Sequence, residues 1–177
     1  MKLNYSIPNK IWWITNFLDW ATYKNIHQAV VKGRKNIDFE DVQKTWSQNL
    51  YNNLTPAQRA VIINFAPFEK LKTLIRHNPF FKMDKINEMS TTIPFMSKNS
   101  GINWHTDIGW KYGATFYLNK RWCSNWGGEF MFTDMKGHGF IPIIPNSLVI
   151  IKAPLKHKVN PVLTKIVPRM SLQLFIK

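Results

Sequence analysis

Trp104-His105-Thr106-Asp107 is the stretch of this sequence whose side chains are best suited to bind a metal ion. Residues i and i+2 of a β-strand point to the same face, so His105 and Asp107 could hold one ion from one side. His157 is the candidate third ligand. Two histidines and one carboxylate form a facial triad, which suits ferrous iron and leaves coordination positions open for a cosubstrate and dioxygen.

A basic residue follows His157 and opens a run with period-2 alternation, Arg169–Ile176. This alternation predicts a strand with one polar and one apolar face. Arg169, Ser171, Gln173 and Phe175 share one face, whereas Met170, Leu172, Leu174 and Ile176 share the other.

Other segments stand in a recognisable order around these residues: Phe116–Asn119, Trp122, the tight turn Gly127–Glu129, His157–Val162 and Arg169–Ser171. Together with His-x-Asp at 105–107, the set over residues 105–175 resembles the iron(II)- and 2-oxoglutarate-dependent dioxygenases, in particular their prolyl 4-hydroxylase-like branch. The resemblance implies a mainly β fold with N-terminal helices (α+β): a double-stranded β-helix (jelly roll, cupin-like) flanked by packing helices.

The same resemblance implies the cofactors Fe(II), 2-oxoglutarate as cosubstrate, and O2. His105, Asp107 and His157 would coordinate the iron, and Arg169 would pair with the far carboxylate of 2-oxoglutarate, because a guanidinium can donate two parallel hydrogen bonds to a carboxylate. Tyr117 is expected to be a second donor and Ser171 to add a hydroxyl. Further possible lining residues are Thr115, Asn119, Gln173 and Phe175, with Trp110 and Trp126 at the substrate mouth.

The implied reaction is hydroxylation of a C–H bond with release of succinate and CO2. The resemblance favours a prolyl residue of a peptide or protein as the target. Nucleic acid and small molecules are alternative substrates, and a noncatalytic jelly-roll binding module is an alternative of another class. The base-repair branch of the family has a further arginine after the first, but Arg169 is the last arginine of this chain, which disfavours nucleic acid.

Length and composition limit the remaining possibilities. A chain of 177 residues predicts one domain, 1–177, with strand and helical support over about 1–82 and the jelly-roll core over about 83–177. No apolar run reaches the roughly 18 to 20 residues that cross a bilayer, and the N-terminus lacks a signal-peptide core. We therefore expect a cytoplasmic protein with no membrane partner. The lone Cys123 excludes an internal disulfide framework.

The net charge is +14, from 24 Lys and Arg against 10 Asp and Glu. Such a charge favours polyanions or acidic surfaces as partners. Only five of the basic residues are arginines, and the lysines are spread along the chain rather than clustered. A diffuse, solvated basic surface is the favoured interpretation.

Local patterns predict the supporting elements. A helix is expected over Trp20–Lys32, with Asp19 as its N-cap and Gly33 as its stop. Thr55–Gln58 has the pattern of a capping box, which predicts a helix running toward Pro67, and a second helix is expected over Phe68–Arg76. Strand-like runs are Ile11–Ile14, Ile86–Phe95, Asn103–Asp107, Gly113–Asn119, Gly128–Thr133, Ser147–Ile151, His157–Val162 and Arg169–Ile176.

Overall fold

The computed structural model describes residues 1–7, 10–33, 40–41, 47–61, 66–80, 88–134 and 137–177. Two α-helices lie in this part of the chain, α1 (Trp20–Gly33) and α2 (Ala66–Arg76). The strands are β1 (Lys2–Ile7), β2 (Ile11–Thr15), β3 (Glu40–Asp41), β4 (Gln58–Val61), β5 (Met89–Met96), β6 (Ile102–His105), β7 (Tyr112–Tyr117), β8 (Phe130–Asp134), β9 (Gly137–Ile141), β10 (Leu148–Lys152), β11 (Lys156–Val159) and β12 (Arg169–Ile176).

The strands form two antiparallel sheets. The major sheet has the order β1-β2-β10-β7-β12-β5-β4-β3, and the minor sheet has the order β6-β11-β8-β9. Side chains of the two sheets meet in one apolar cluster, with Tyr117 and Val149 from the major sheet against Phe130, Phe132 and Ile141 from the minor sheet. The predicted double-stranded β-helix with few helices is confirmed.

The major sheet lies between the helices and the minor sheet. Leu172 and Leu174 of β12 belong to the core that contains Ile26 of α1 and Ile75 of α2. Because successive side chains of a strand point to opposite faces, Ser171 and Gln173 face the interior between the two sheets. β12, the strand predicted to have one polar and one apolar face, therefore separates the two helices from the polar interior between the sheets.

Two of the three predicted helices agree with the structure. α1 begins at Trp20, and Asp19 Oδ1 accepts a hydrogen bond of 2.8 Å from the Thr22 backbone N–H. A side-chain acceptor at this position satisfies one of the unpaired N–H groups of the first turn. α2 covers the predicted segment and begins two residues earlier, at Ala66.

The predicted helix after Thr55 is wrong for its described residues. Gln58–Val61 forms β4, which pairs with β5 from Gln58 opposite Phe95 to Val61 opposite Thr92. Hydrogen bonding along β5 therefore outweighs the local capping signal. Residues 62–65 of that predicted helix, and the first residues of the predicted strand 86–95, lie outside the described part of the chain.

Three strands, β1, β3 and β9, had no counterpart in the sequence predictions. β1 pairs with β2 at one edge of the major sheet, and β9 pairs with β8 at one edge of the minor sheet. β2 and β4, from the part predicted to support the core, are themselves strands of the major sheet. Among the described residues, no helix is long and apolar enough to cross a membrane.

Candidate active site

The two histidines come from neighbouring strands of the minor sheet. β6 and β11 are antiparallel, and His105 and His157 are direct cross-strand partners with ring centroids 4.2 Å apart. The strand-face argument from the sequence does not extend to Asp107, because β6 ends at His105. Asp107 instead reaches the histidines from the loop that follows the strand.

The three side chains converge on one point. Asp107 Oδ1 lies 3.7 Å from His105 Nε2, and Asp107 Oδ2 lies 3.8 Å from His157 Nε2. One ligand atom from each residue lies within 4.8 Å of the others. Two imidazole nitrogens and a carboxylate oxygen on one side of a centre are the donor set that non-haem Fe(II) takes.

Backbone carbonyls fix the orientation of both imidazoles. His105 Nδ1 lies 2.7 Å from the Asn103 carbonyl oxygen, and His157 Nδ1 lies 2.8 Å from the Leu155 carbonyl oxygen. A neutral ring that donates from Nδ1 presents the lone pair of Nε2, so both rings present a ligand atom to the centre. Burial and the neighbouring His105 lower the pKa of His157, which favours the neutral, metal-binding form.

Arg169 is fully buried between the two sheets. Its Nε donates to the Gly128 carbonyl oxygen at 3.0 Å, and its Nη1 donates to Ser171 Oγ at 3.1 Å. The guanidinium carbon lies 5.2 Å from the centre of the Tyr117 ring. Burial raises the pKa of Tyr117, so its hydroxyl remains a donor.

Two polar atoms at this end of the barrel have no hydrogen-bond partner among the described residues: Arg169 Nη2 and Tyr117 Oη. Leaving a buried donor unpaired costs roughly 1 to 3 kcal/mol, and more when it is charged. A small anion with two acceptor oxygens would satisfy both atoms. The pair therefore has the chemistry that binding of the far carboxylate of 2-oxoglutarate requires.

The pairing register of β7 and β12 relates the metal ligands to the buried Arg169 and Tyr117. On β7 and β12 the paired residues are Gly113 with Phe175, Thr115 with Gln173, and Tyr117 with Ser171. Gly113 lies against Asp107, so the Thr115–Gln173 pair separates the metal ligands from the Tyr117–Ser171 pair. A cavity of about 620 Å³ contacts the ligands, and its wall includes His105, Asp107, His157, Thr115, Gln173 and Phe175. Arg169, Tyr117 and Ser171 lie deeper along the same strand faces, beyond that wall.

Other predicted lining residues divide into two groups. Trp110 lines the cavity, as do Thr115, Gln173 and Phe175. Asn119 does not, because its side chain connects β7 to β12: Oδ1 accepts from the Met170 N–H at 2.8 Å, and Nδ2 donates to the Pro168 carbonyl at 2.9 Å. Trp126 packs edge-on against Trp122 rather than at the mouth.

Two glycines contribute to the site in ways that sequence reasoning missed. Gly128, interpreted from the sequence only as part of a turn, provides the carbonyl that holds Arg169 Nε, and its φ of +78° disfavours other residues. Gly113 provides space for the Asp107 carboxylate. The Gly-Gly pair at 127–128 was a sequence signal for the role of Gly128, but no local pattern indicated the role of Gly113.

The sequence model of the 2OG-Fe(II) oxygenase superfamily matches residues 91–177, which include all six predicted site residues. Residues 91–177 belong to that superfamily. The chain is therefore a 2-oxoglutarate-dependent dioxygenase, and its cofactors are Fe(II), 2-oxoglutarate and O2. No curated protein matches the chain significantly in sequence.

Several solved structures share the fold of nearly the whole chain. A prolyl hydroxylase from Trichoplax adhaerens, in complex with a peptide fragment of hypoxia inducible factor, has a TM-score of 0.78 and 18% identity, covering 96% of this chain and 84% of that one. A Pseudomonas putida prolyl-4-hydroxylase has a TM-score of 0.74 and 14% identity, covering 96% and 93%. A viral collagen prolyl hydroxylase from Paramecium Bursaria Chlorella virus-1, as its 2OG complex, has a TM-score of 0.69 and 13% identity, covering 96% of each chain.

Proposed function

We propose that this dioxygenase hydroxylates a prolyl residue of a peptide or protein, with release of succinate and CO2. One observation carries the cosubstrate part of the proposal: the unpaired Arg169 Nη2 and Tyr117 Oη lie on the same strand faces that lead to the His105, Asp107 and His157 cluster. A metal centre at one end and an anion-binding pair at the other match the two ends of a short dicarboxylate.

His105, Asp107 and His157 would hold Fe(II) from one side. The carbonyls of Asn103 and Leu155 keep both rings turned toward the metal, so these ligands need little rearrangement when the ion binds. Bound iron, 2-oxoglutarate and O2 together supply the oxidation. The cavity beside these three ligands would receive the target C–H bond.

Arg169, Tyr117 and Ser171 would hold the far carboxylate of 2-oxoglutarate. Arg169 Nη2 and Tyr117 Oη would donate to its oxygens, while the bonds from Nε to Gly128 and from Nη1 to Ser171 keep the guanidinium plane fixed. Arg169 has no exposed surface, so the ion pair forms away from water, where it is strongest. Burial of Arg169 also keeps competing water from the carboxylate.

The substrate would enter from the open side of the cavity. Trp110 lines this opening, and Ile108, which is 89% exposed, stands beside Asp107 in the same loop. An apolar, aromatic rim suits the ring of a prolyl residue. The structurally similar prolyl hydroxylase from Trichoplax adhaerens was solved with a peptide fragment, which supports a peptide or protein as the substrate class.

The test is succinate formation from 2-oxoglutarate by the Fe(II) protein, with proline-containing peptides, oligonucleotides and free amino acids offered in parallel. We expect a proline-containing peptide to raise succinate formation and to gain one oxygen atom by mass spectrometry. His105→Ala, which lacks a metal ligand, is the matched inactive control. Stimulation by an oligonucleotide or an amino acid, without stimulation by any peptide, would contradict the substrate class.

A further inference from the structure

The outer face of the minor sheet carries large apolar side chains among basic ones. Alternation along its strands points His105, His157 and Phe132 inward, so the alternate positions face solvent. Phe140 on this face is 66% exposed and Trp104 is 36% exposed. The solvent-facing set is Trp104, Met131, Thr133, His138, Phe140, Lys156 and Lys158. A solvated sheet face normally carries polar residues, so the exposed aromatic rings indicate a contact surface.

Trp104 connects this outer face to the catalytic cavity. Its ring lies 5.8 Å from the His138 ring, and the Lys158 ammonium lies 5.4 Å from the ring centre. Trp104 also lines the cavity that contains the metal ligands. A chain that leaves the cavity past Trp104 therefore arrives directly on the outer face.

A second groove continues the surface at its other end. This groove, of about 570 Å³, is lined by residues that include Lys10, Lys152 and Lys156, and also Thr133. Lys156 and Thr133 are cross-strand partners on the outer face, so the groove and the face are contiguous. We call the whole surface the basic track: Trp104, His138, Phe140, Lys158, Lys156, Lys152 and Lys10.

Most of the charged side chains of the basic track are basic, although Asp134 also lines the groove beside Lys156. Within the four strands of the minor sheet, Asp134 is the only carboxylate, and it lies at the end of β8. Four lysines and a histidine therefore stand against one acidic side chain along the track. Complementary charge on a partner would speed its encounter and fix its direction along the surface.

We propose that the basic track binds an acidic segment of the substrate polypeptide, next in sequence to the residue that enters the cavity. This inference rests on the proposed function, since it assumes a polypeptide target. Carboxylates of the segment would pair with Lys158, Lys156 and the lysines of the groove, while apolar side chains between them would pack on Trp104 and Phe140. The basic side chains of the track are lysines and a histidine, without the arginine forks that nucleic-acid recognition favours.

The binding test uses the Mn(II) and 2-oxoglutarate form of the protein, kept free of O2. The probes are two short peptides with one proline, followed either by alternating glutamates or by glutamines at the same positions. The test variant is the double change Lys156→Glu and Lys158→Glu. The control is Lys24→Glu with Lys32→Glu on α1, which removes the same charge from the opposite side of the molecule and includes another lysine over a tryptophan ring, Lys24 over Trp20 at 5.8 Å.

We expect the glutamate peptide to bind the wild type more tightly than the glutamine peptide, with a preference that falls as salt rises. Lys156→Glu with Lys158→Glu should weaken binding of the glutamate peptide by about tenfold or more and leave the affinity for the glutamine peptide unchanged. The α1 control should change the affinity for neither peptide by more than about twofold. Equal losses in both double variants would reduce the effect to net charge and overturn the proposal.

Three further outcomes separate the possibilities. A single-stranded oligonucleotide that binds the wild type more tightly than the glutamate peptide, and loses affinity only in the track variant, would assign the track to nucleic acid and overturn the proposal. If both double variants hydroxylate the glutamate peptide as the wild type does, the proposed binding of an acidic segment by the basic track is wrong, whereas the proposed function is retained. If the glutamate peptide binds the track but no peptide is ever hydroxylated, the proposed function fails while the docking surface stands.

Discussion

The Asp107 carboxylate lies against Gly113: a Cβ placed on Gly113 would be 2.8 Å from Asp107 Oδ2. Side chains essentially never approach that closely, so the carboxylate occupies space that exists only because residue 113 lacks a side chain. Asp107 lies in a loop beyond the end of β6, and the neighbouring strand β7 limits where it can go. Gly113 is thus a determinant of the metal site, although it offers no ligand atom.

Gly113→Ala should push Asp107 away from the two histidines and weaken metal binding by about tenfold to a hundredfold or more, the range seen when the surroundings of a metal ligand are disturbed. The metal-free protein should keep its stability, because alanine suits a strand at least as well as glycine. Mn(II) titration and thermal unfolding in a chelator measure the two effects separately. Unchanged Mn(II) affinity would show that Asp107 does not bind the metal from this position.

Arg169→Gln should impair 2-oxoglutarate binding far more than metal binding. Leaving one member of a buried ion pair alone costs on the order of 3 to 5 kcal/mol, which corresponds to a loss of roughly two to three orders of magnitude in affinity. Arg169→Lys should impair 2-oxoglutarate binding less, because it keeps the positive charge but loses the bidentate hydrogen bonding to the carboxylate. Arg121→Gln, at an exposed arginine, is the matched control and should bind normally. Anaerobic titration of the Fe(II) forms decides: binding by Arg169→Gln within about threefold of the wild type would remove Arg169 from the site.

Tyr117→Phe should weaken 2-oxoglutarate binding without destabilising the free protein. The Tyr117 hydroxyl is buried beside the Arg169 guanidinium but forms no well-aligned hydrogen bond among the described residues, so its removal should leave the free protein about as stable as before. A hydrogen bond to a charged group contributes about 1.5 to 3 kcal/mol, so 2-oxoglutarate affinity should fall about tenfold to a hundredfold. Calorimetric titration measures the affinity for 2-oxoglutarate, and urea unfolding measures the free energy of unfolding. A less stable variant with normal 2-oxoglutarate affinity would assign Tyr117 to packing alone.

Much of the site could be predicted from residue types because its ligands occur in strongly patterned segments. His105 and Asp107 are close in sequence, and Arg169 opens the clearest alternating run of the chain. The convergence of His157 with them depends on the pairing of β11 with β6, which no local pattern reveals. The role of Gly113 could not be predicted for the same reason, since it depends on the contact that the loop containing Asp107 makes with β7.

The fold predictions failed where tertiary pairing outweighed local signals. Thr55–Gln58 has the residues of a helix start, but Gln58 begins a strand that completes hydrogen bonds along β5. β9, with the sequence GHGFI, has two glycines and only one β-branched residue, so it gives a weak strand signal and forms by pairing with β8. Edge strands of this kind are determined by their neighbours rather than by their own propensity.

His27 should make stability depend on pH. Burial and the nearby Lys120 lower the pKa of His27, whose Nδ1 lies 2.7 Å from the Leu118 carbonyl oxygen. Because the folded pKa is below the unfolded value of about 6.5, the unfolded chain takes up the proton first, and the stabilising contribution is lost as pH falls through the folded pKa.

Urea unfolding in a chelator, at several pH values below about 6.5, checks this linkage. His27→Gln should reduce the slope of unfolding free energy against pH, by at most one proton. Equal slopes in the wild type and His27→Gln would show that His27 does not contribute to the acid sensitivity.

The most direct test of the central claim is Fe(II)-dependent conversion of 2-oxoglutarate to succinate when O2 is admitted to the anaerobically assembled protein. The arrangement of His105, Asp107 and His157 with the buried Arg169 predicts succinate from the wild type with Fe(II), none with Zn(II) in place of iron, and a return to the level of free Fe(II) in His105→Ala and in Arg169→Gln at low 2-oxoglutarate. Succinate from the wild type no greater than that from free Fe(II), in a protein shown to hold one equivalent of iron, would contradict the account.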